Sequence, residues 1–215
     1  CSHWAGRVFG YSVIEMKGKE IFNEFYIAWM LNLAQTLDIL MKNDRIHKLI
    51  DKLENLSIKD ALTGLYNRRG FETRSRDMIS ALQAKTTVCT MVIDLDGLKR
   101  INDEHGHYEG DRAIKAAAEI IMSCCTSGEI AGRTGGDEFY VFAADYSENR
   151  LRKFINSMNA AIEKYNSESG RPYRLEVSYG TNLAEADSRG DLEELLKISD
   201  QRMYEQKQSK PARRR

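Results

Sequence analysis

The chain has 215 residues, 42% of them apolar, which suffices for one domain of ordinary size plus a substantial appendage and excludes a disordered or fibrous chain. Its 32 basic residues balance 32 acidic ones, so no bulk electrostatic pull toward nucleic acid or an anionic membrane is built in. The four cysteines, Cys1, Cys89, Cys124 and Cys125, match neither a disulfide framework nor zinc-ligand spacing, which suits a reducing cytoplasm.

Residues 8–15 carry β-branched and aromatic side chains around a glycine, as a strand does, but by themselves supply no sheet. Residues 1–19 therefore read as the remnant of an upstream, sensor-type domain. The apolar stretch 26–40 is interrupted by Asn32, Gln35 and Asp38, too polar for a membrane span, and no signal peptide is visible. The start on Cys1 points to a piece of a longer protein, whose other part is free to carry a membrane anchor. Residues 20–56 lack proline and glycine and predict one long linker helix, with Ile39, Ile46, Leu49, Leu53 and Leu56 at helical spacing. The last four step by three, four and three, the seam of a two-stranded coiled coil that Lys42 interrupts. The same stripe also suits packing on its own domain. Phe22, Phe25, Tyr26 and Trp29 fit the helix's inner face or the upstream remnant.

From 57 to 210 the pattern changes to alternating elements with short polar turns, a compact mixed domain. Residues 67–84 predict a helix capped by Asn67. Residues 86–94 are almost continuously apolar and β-favouring, which predicts a central strand buried on both faces. Helices follow over 97–105 and 110–125. Strands over 129–134 and 137–143 flank Gly135-Gly136, a hairpin signal that predicts positive φ at both glycines. A helix over 147–167, a strand over 173–183 and an amphipathic helix over 191–208 complete the domain, and 211–215 reads as a frayed tail.

The candidate chemistry sits where strands end. Asp94 closes the central strand and Asp96 follows after one residue; an aspartate here either binds a ligand or caps the next helix. Asp137 and Glu138 follow the two glycines and alternate in face, so at most one shares a metal with Asp94 by simple geometry. Carboxylates from two strand ends suit a hard cation such as magnesium, completed by substrate phosphates. Lys99 offers phosphate a point charge, backed by backbone N–H groups at a helix start. Asn102 and Asp111 offer the acceptor and donor groups that a guanine edge needs, although Asp111 also fits an N-cap. His105 and His107 invite a zinc reading, but the neighbourhood supplies no evident further ligands. Cys124-Cys125 closes a helix and reads as apolar filler.

The runs Asp60-Ala-Leu-Thr-Gly-Leu-Tyr-Asn-Arg-Arg69 and Asp94-Leu-Asp-Gly-Leu-Lys-Arg-Ile-Asn-Asp103 come in order with Gly106-His-Tyr-Glu-Gly-Asp111 and Gly135-Gly-Asp-Glu-Phe139. Together they resemble the GGDEF-type diguanylate cyclases over about 56–210. That resemblance implies an α+β fold like the palm of nucleotide polymerases and nucleotidyl cyclases, a central, mostly antiparallel sheet flanked by helices, here preceded by the long N-terminal helix. It implies that Asp94, the Leu95 carbonyl and Glu138 ligate Mg2+ or Mn2+, that Lys99 holds phosphate, and that Asn102 and Asp111 read guanine. Asp137 would assist the ribose 3′-hydroxyl, and Gly135 and Gly136 would let the hairpin lie along GTP. Tyr204-Glu-Gln-Lys207 resembles the closing segment, in which Lys207 contacts phosphate. The arginine that often follows is absent, and Lys210 is the substitute offered.

One such domain binds one GTP, so condensing two GTP into cyclic di-GMP and two pyrophosphates calls for a homodimer, with the linker helix bringing the halves into register. The alternative is a catalytically silent GTP-binding module that senses or docks. Members of the family often place an arginine, two residues and an aspartate before the signature as a product site. Here those positions read Thr126-Ser-Gly-Glu129, which implies no product inhibition there.

Overall fold

The computed structural model describes residues 2–4, 7–10, 24–56, 58–126 and 128–210. The chain divides into two units, Cys1–Leu56 and Ser57–Arg215. In the first, β1 (Ser2–Trp4) and β2 (Arg7–Gly10) pair antiparallel, and α1 (Glu24–Leu56) follows. The strand expected over 8–15 thus has a partner after all, because three residues upstream of it are themselves extended; residues 11–15 lie outside the described ones. So do Phe22 and 211–215, and the side chains of Phe25, Tyr26, Leu49, Leu53 and Leu56. Along α1, Trp29, Ile39 and Ile46 are exposed, while Asp38 is buried and holds Lys42 at 2.7 Å. No described helix is long and apolar enough to cross a membrane.

The second unit holds a five-stranded mixed sheet in the order β3-β5-β6-β4-β7. Its strands are β3 (Tyr66–Asn67), β4 (Thr86–Leu95), β5 (Glu129–Arg133), β6 (Glu138–Ala144) and β7 (Val177–Ala186). Only the β3–β5 pair is parallel; the other three ladders are antiparallel. Five helices interleave: α2 (Arg68–Ser80), α3 (Leu98–His105), α4 (His107–Cys124), α5 (Glu148–Glu168) and α6 (Leu192–Ser209). Asn67 caps α2 by accepting from the Gly70 N–H at 2.9 Å, which stabilises that helix start by about 1 kcal/mol.

Strand alternation distributes the core. Cys89, Met91, Ile93 and Leu95 of β4 join Phe139, Val141 and Ala143 of β6 in one cluster with α3, α4 and α5. Val88 and Phe142 point the other way, to Phe71 and Ile79 of α2 and Leu192 of α6. The result is a sheet sandwiched between two helical layers, with β4 and β6 buried between both. β4 lies inside the sheet, between β6 and β7, because its largely apolar run leaves no face for water.

On the α6 side the packing is close and partly polar. Thr90 Oγ1 and Ser199 Oγ share a buried hydrogen bond of 2.6 Å, and Thr90 Oγ1 also donates to the Leu195 carbonyl at 3.1 Å. Tyr179 N–H donates to Gln206 Oε1 at 2.6 Å. Gly180 allows this approach, since a Cβ there would overlap the Ser199 carbonyl and the Met203 amide nitrogen. Small residues at Thr90, Gly180 and Ser199 therefore bring α6 down onto β4 and β7, and its last turn reaches the sheet end that carries Asp94.

Candidate active site

In the β4–β6 register Asp94 stands opposite Glu138. Directly opposed residues of an antiparallel pair project from the same face, so both carboxylates share one side of the sheet end. Ile93, Leu95 and Phe139 fill the core beneath α3 to α5, which puts Asp94 and Glu138 on the α6 side. The Leu95 N–H donates to the Asp137 carbonyl at 2.9 Å, prolonging the ladder and keeping Asp137 beside the pair.

Electrostatics follow from that crowding. Asp94 is 5% exposed; burial pushes its carboxyl above the ordinary aspartate range, against the pull of Lys207 and with Asp137 and Asp96 adding to the rise. Glu138 is likewise raised, first by burial and then by Asp137, Asp94 and Asp200. Lys207 Nζ sits 2.6 Å from Asp94 Oδ1, and although burial works against its charge, that bond raises the ammonium pKa overall.

The Lys207 ammonium already rests against Asp94 Oδ1, so the carboxylates accommodate a positive charge there. Among the described residues no three His, Cys, Asp or Glu side chains group into a metal cage. Coordination by Asp94, Glu138 and the Leu95 carbonyl would therefore be completed by phosphate and water oxygens, as is usual for magnesium.

Asp96, Gly97, Lys99, Lys207 and Lys210 line part of a cleft of about 1160 Å³ whose other walls come from α3, α5 and the chain entering β7; Asp94, Asp137, Glu138, Gly135 and Gly136 do not line it. Lys210 Nζ donates to Asp96 Oδ2 and to the Val177 carbonyl, both at 2.6 Å, and Ser178 Oγ donates to Asp96 Oδ1 at 2.8 Å. Asp96 is therefore tied to β7 and to the end of α6. Neither aspartate caps α3, whose N-cap is Gly97 at φ 71° with no side-chain cap bond.

Asn102 lies on α3 and Asp111 on α4, away from that cleft. Asp111 lies inside α4, whose N-cap is Gly106, so the capping alternative is removed and its exposed carboxylate is left for another task. Asn102 lies against Gly110: a Cβ there would overlap Asn102 Oδ1. Neither residue lines the cleft that holds Lys99, Lys207 and Lys210.

The glycine hairpin departs from the sequence expectation. Among the described glycines only Gly64, Gly97, Gly106 and Gly170 have positive φ, so Gly135 and Gly136 do not. Four residues, 134–137, separate the strands, and this longer turn needs no left-handed pair. Gly135 is small for another reason: a Cβ there would come within 3.1 Å of Glu138 Oε2. Arg133 holds the turn by donating from Nε and Nη2 to the Gly136 carbonyl at 3.2 and 2.8 Å. Its Nη1 reaches both Asp60 oxygens at 3.3 Å. The sequence reading gave Arg133 no role, since its partner lies 73 residues away and no local pattern links them.

A family model described as "Diguanylate cyclase, GGDEF domain" matches residues 57–213. The chain is 34% identical to diguanylate cyclase VdcA of Vibrio cholerae over 81% of this chain and 50% of that protein. It is 29% identical to the probable diguanylate cyclase DgcJ of Escherichia coli, over 87% of this chain and 36% of that one. It thus spans half or less of these curated relatives. The crystal structure of the GGDEF domain of DgcB from Caulobacter crescentus, in complex with c-di-GMP, superposes with a TM-score of 0.60 at 26% identity, covering 71% of this chain and 91% of that one. With the family model covering the whole sheet and both carboxylate pairs, the chain belongs to the GGDEF-domain family.

Proposed function

We propose that residues 57–210 form a diguanylate cyclase module that condenses two GTP into cyclic di-GMP and two pyrophosphates. The observation that carries this reading is the Asp94–Glu138 pair, two carboxylates with raised pKa opposed across β4 and β6, with the Lys207 ammonium 2.6 Å from Asp94. Relatives named as diguanylate cyclases support it.

Asp94, Glu138 and the Leu95 carbonyl would hold Mg2+ or Mn2+. When bound, the cation neutralises triphosphate charge and stabilises the pyrophosphate that leaves. Lys99, Lys207 and Lys210 bind phosphate oxygens, Asn102 and Asp111 bind the guanine edge, and Gly135 and Gly136 give the nucleotide room along the hairpin. Asp137 takes the proton of the ribose 3′-hydroxyl as that oxygen bonds to the α-phosphorus of the opposite GTP and the bond from that phosphorus to pyrophosphate breaks.

Each module contributes one nucleotide, so the working unit is a homodimer. Residues 1–19 belong to an upstream sensor, α1 transmits its signal, and the module works in the cytoplasm whether or not the longer protein is anchored to a membrane. The test is to incubate the chain with GTP and Mg2+ or Mn2+ and resolve the nucleotides by chromatography while measuring mass in solution. Cyclic di-GMP formed by dimers supports the reading. GTP that is bound by dimers yet returned unchanged contradicts it and leaves a sensing or docking module.

A further inference from the structure

The first turn of α4 is gripped by a segment far away in sequence. Arg171 Nη1 lies 3.2 and 3.3 Å from the two carboxylate oxygens of Glu109. The Tyr173 hydroxyl lies 3.2 Å from both the Glu109 carbonyl and its carboxylate Oε2, and donates to one at a time. Tyr173 is 9% exposed, and its ring tilts against His105, the last residue of α3, with centroids 5.9 Å apart. Glu109 and Arg171 are themselves largely covered, at 18% and 25% side-chain exposure.

A carboxylate in the first turn of a helix is favourable without any partner, because it faces the positive end of the helix dipole. That role explains Glu109 but not why two side chains from the α5–β7 connection, 62 and 64 residues on, converge on it. What the grip controls is visible in the next two residues. Gly110 carries the Asn102 amide on its bare Cα face, and Asp111 presents its carboxylate one residue later. One side of α4 thus rests on α3 through Gly110 and Asn102, while Glu109 is held by the loop. The body of α4 is fixed by its buried face from Ala113 to Ile121, so this hold acts on the first turn, from which Gly110 and Asp111 follow.

We propose that Arg171 and Tyr173 are positioning residues for base recognition: by holding Glu109 they set the α3–α4 spacing at which Asn102 and Asp111 read one guanine. The proposal rests on the reading of Asn102 and Asp111 given above. Arg171 and Tyr173 touch no substrate in it, so their effect is on nucleotide discrimination rather than on the reacting atoms.

The experiment measures GTP and ATP binding to the full 215-residue chain with Mg2+, and KM and kcat where turnover is seen. The variants are Arg171→Ala, Tyr173→Phe, which keeps the ring packing, and the exchange Glu109→Arg with Arg171→Glu. The wild type is expected to prefer GTP. Arg171→Ala is expected to lose about tenfold in GTP affinity with ATP affinity little changed, as one lost charged contact produces, and to raise KM more than it lowers kcat. Tyr173→Phe shifts the ratio the same way by less, and the exchange recovers part of the loss. A wild type that prefers GTP, with Arg171→Ala and Tyr173→Phe keeping that preference, overturns the brace alone. A wild type that binds GTP and ATP alike overturns the guanine reading and the brace with it.

Discussion

Lys207 on α6 stands 2.6 Å from Asp94 on β4, although 113 residues separate them. The contact exists because Thr90, Gly180 and Ser199 let α6 lie close on the sheet, so a packing feature delivers a cation to the acid cluster. A divalent ion that takes Asp94 Oδ1 must displace this ammonium. Lys207→Met is therefore expected to bind Mn2+ without nucleotide more tightly than the wild type, by about tenfold if one direct ion pair is removed, read from the free-ion signal in electron paramagnetic resonance. Its GTP turnover should fall if Lys207 makes the phosphate contact proposed for it. Equal Mn2+ affinity in the two proteins contradicts the competition.

The same packing gives a stability prediction. Gly180→Ala forces a methyl into the Ser199 carbonyl and the Met203 backbone, which cannot move without lifting α6. A loss of about 1–3 kcal/mol in chemical denaturation is expected. Activity should drop further than stability does, because Lys207 and Lys210 ride on that helix and its end.

Arg133 ties the turn of the signature to Asp60, which follows the linker helix in sequence. Arg133→Ala leaves the Gly136 carbonyl and the Asp60 carboxylate without it, and is expected to cost about 1–3 kcal/mol of stability. Turnover should fall at least tenfold as Glu138 loses its fixed place, with partial recovery in Arg133→Lys, which restores charge but not the fork. Wild-type turnover in Arg133→Ala removes the clamp from the account.

How far all this was readable from the sequence differs by residue. Acids after a buried strand and after a glycine pair are local patterns, so Asp94, Asp137 and Glu138 stand out as candidates; that Glu138 rather than Asp137 faces Asp94 is set by the β4–β6 register. The mostly antiparallel sheet flanked by helices followed from the resemblance to the family, whereas the order of helices and strands was legible from alternating periodicities. β3 was not, since two residues in Tyr66-Asn67 make no pattern and become a strand only beside β5. A helix starting at Gly110 would make Asp111 a possible cap, but α4 begins at His107. The partners of Arg133, Glu109 and Lys210 are tertiary, set by register and loop placement that no short window contains.

Glu129 occupies the position where the family's product site would place its acid, and it is turned inward. It accepts from the Thr126 N–H at 2.7 Å and the Thr126 hydroxyl at 2.8 Å, and Arg150 pairs with it at 3.2 Å; its side chain is 2% exposed. With no arginine three residues before it and its oxygens already taken, added cyclic di-GMP should leave initial rates unchanged through this site. Inhibition by product that Glu129→Gln relieves would overturn that expectation.

The same residue gives a pH dependence. Burial works against the Glu129 carboxylate, but the Thr126 bonds and then Tyr146 and Arg150 outweigh it, so its pKa lies below the ordinary 4.5. A depressed folded pKa contributes stability that is present above the unfolded value and lost as pH falls through the folded one. The melting-temperature gap between wild type and Glu129→Gln should therefore be full at about pH 6 and shrink from about pH 4.5 downward. A gap that is constant down to about pH 3 contradicts the ionised pairing.

The most direct test of the central claim compares cyclic di-GMP formation from GTP by the wild type, Asp94→Asn and Glu138→Gln across a Mg2+ and Mn2+ series. The account predicts product from the wild type only when metal is present, and a loss of at least about a hundredfold in each variant with GTP binding retained. Variants that match the wild-type rate, or a wild type that binds GTP as a dimer and forms no cyclic di-GMP, would contradict it.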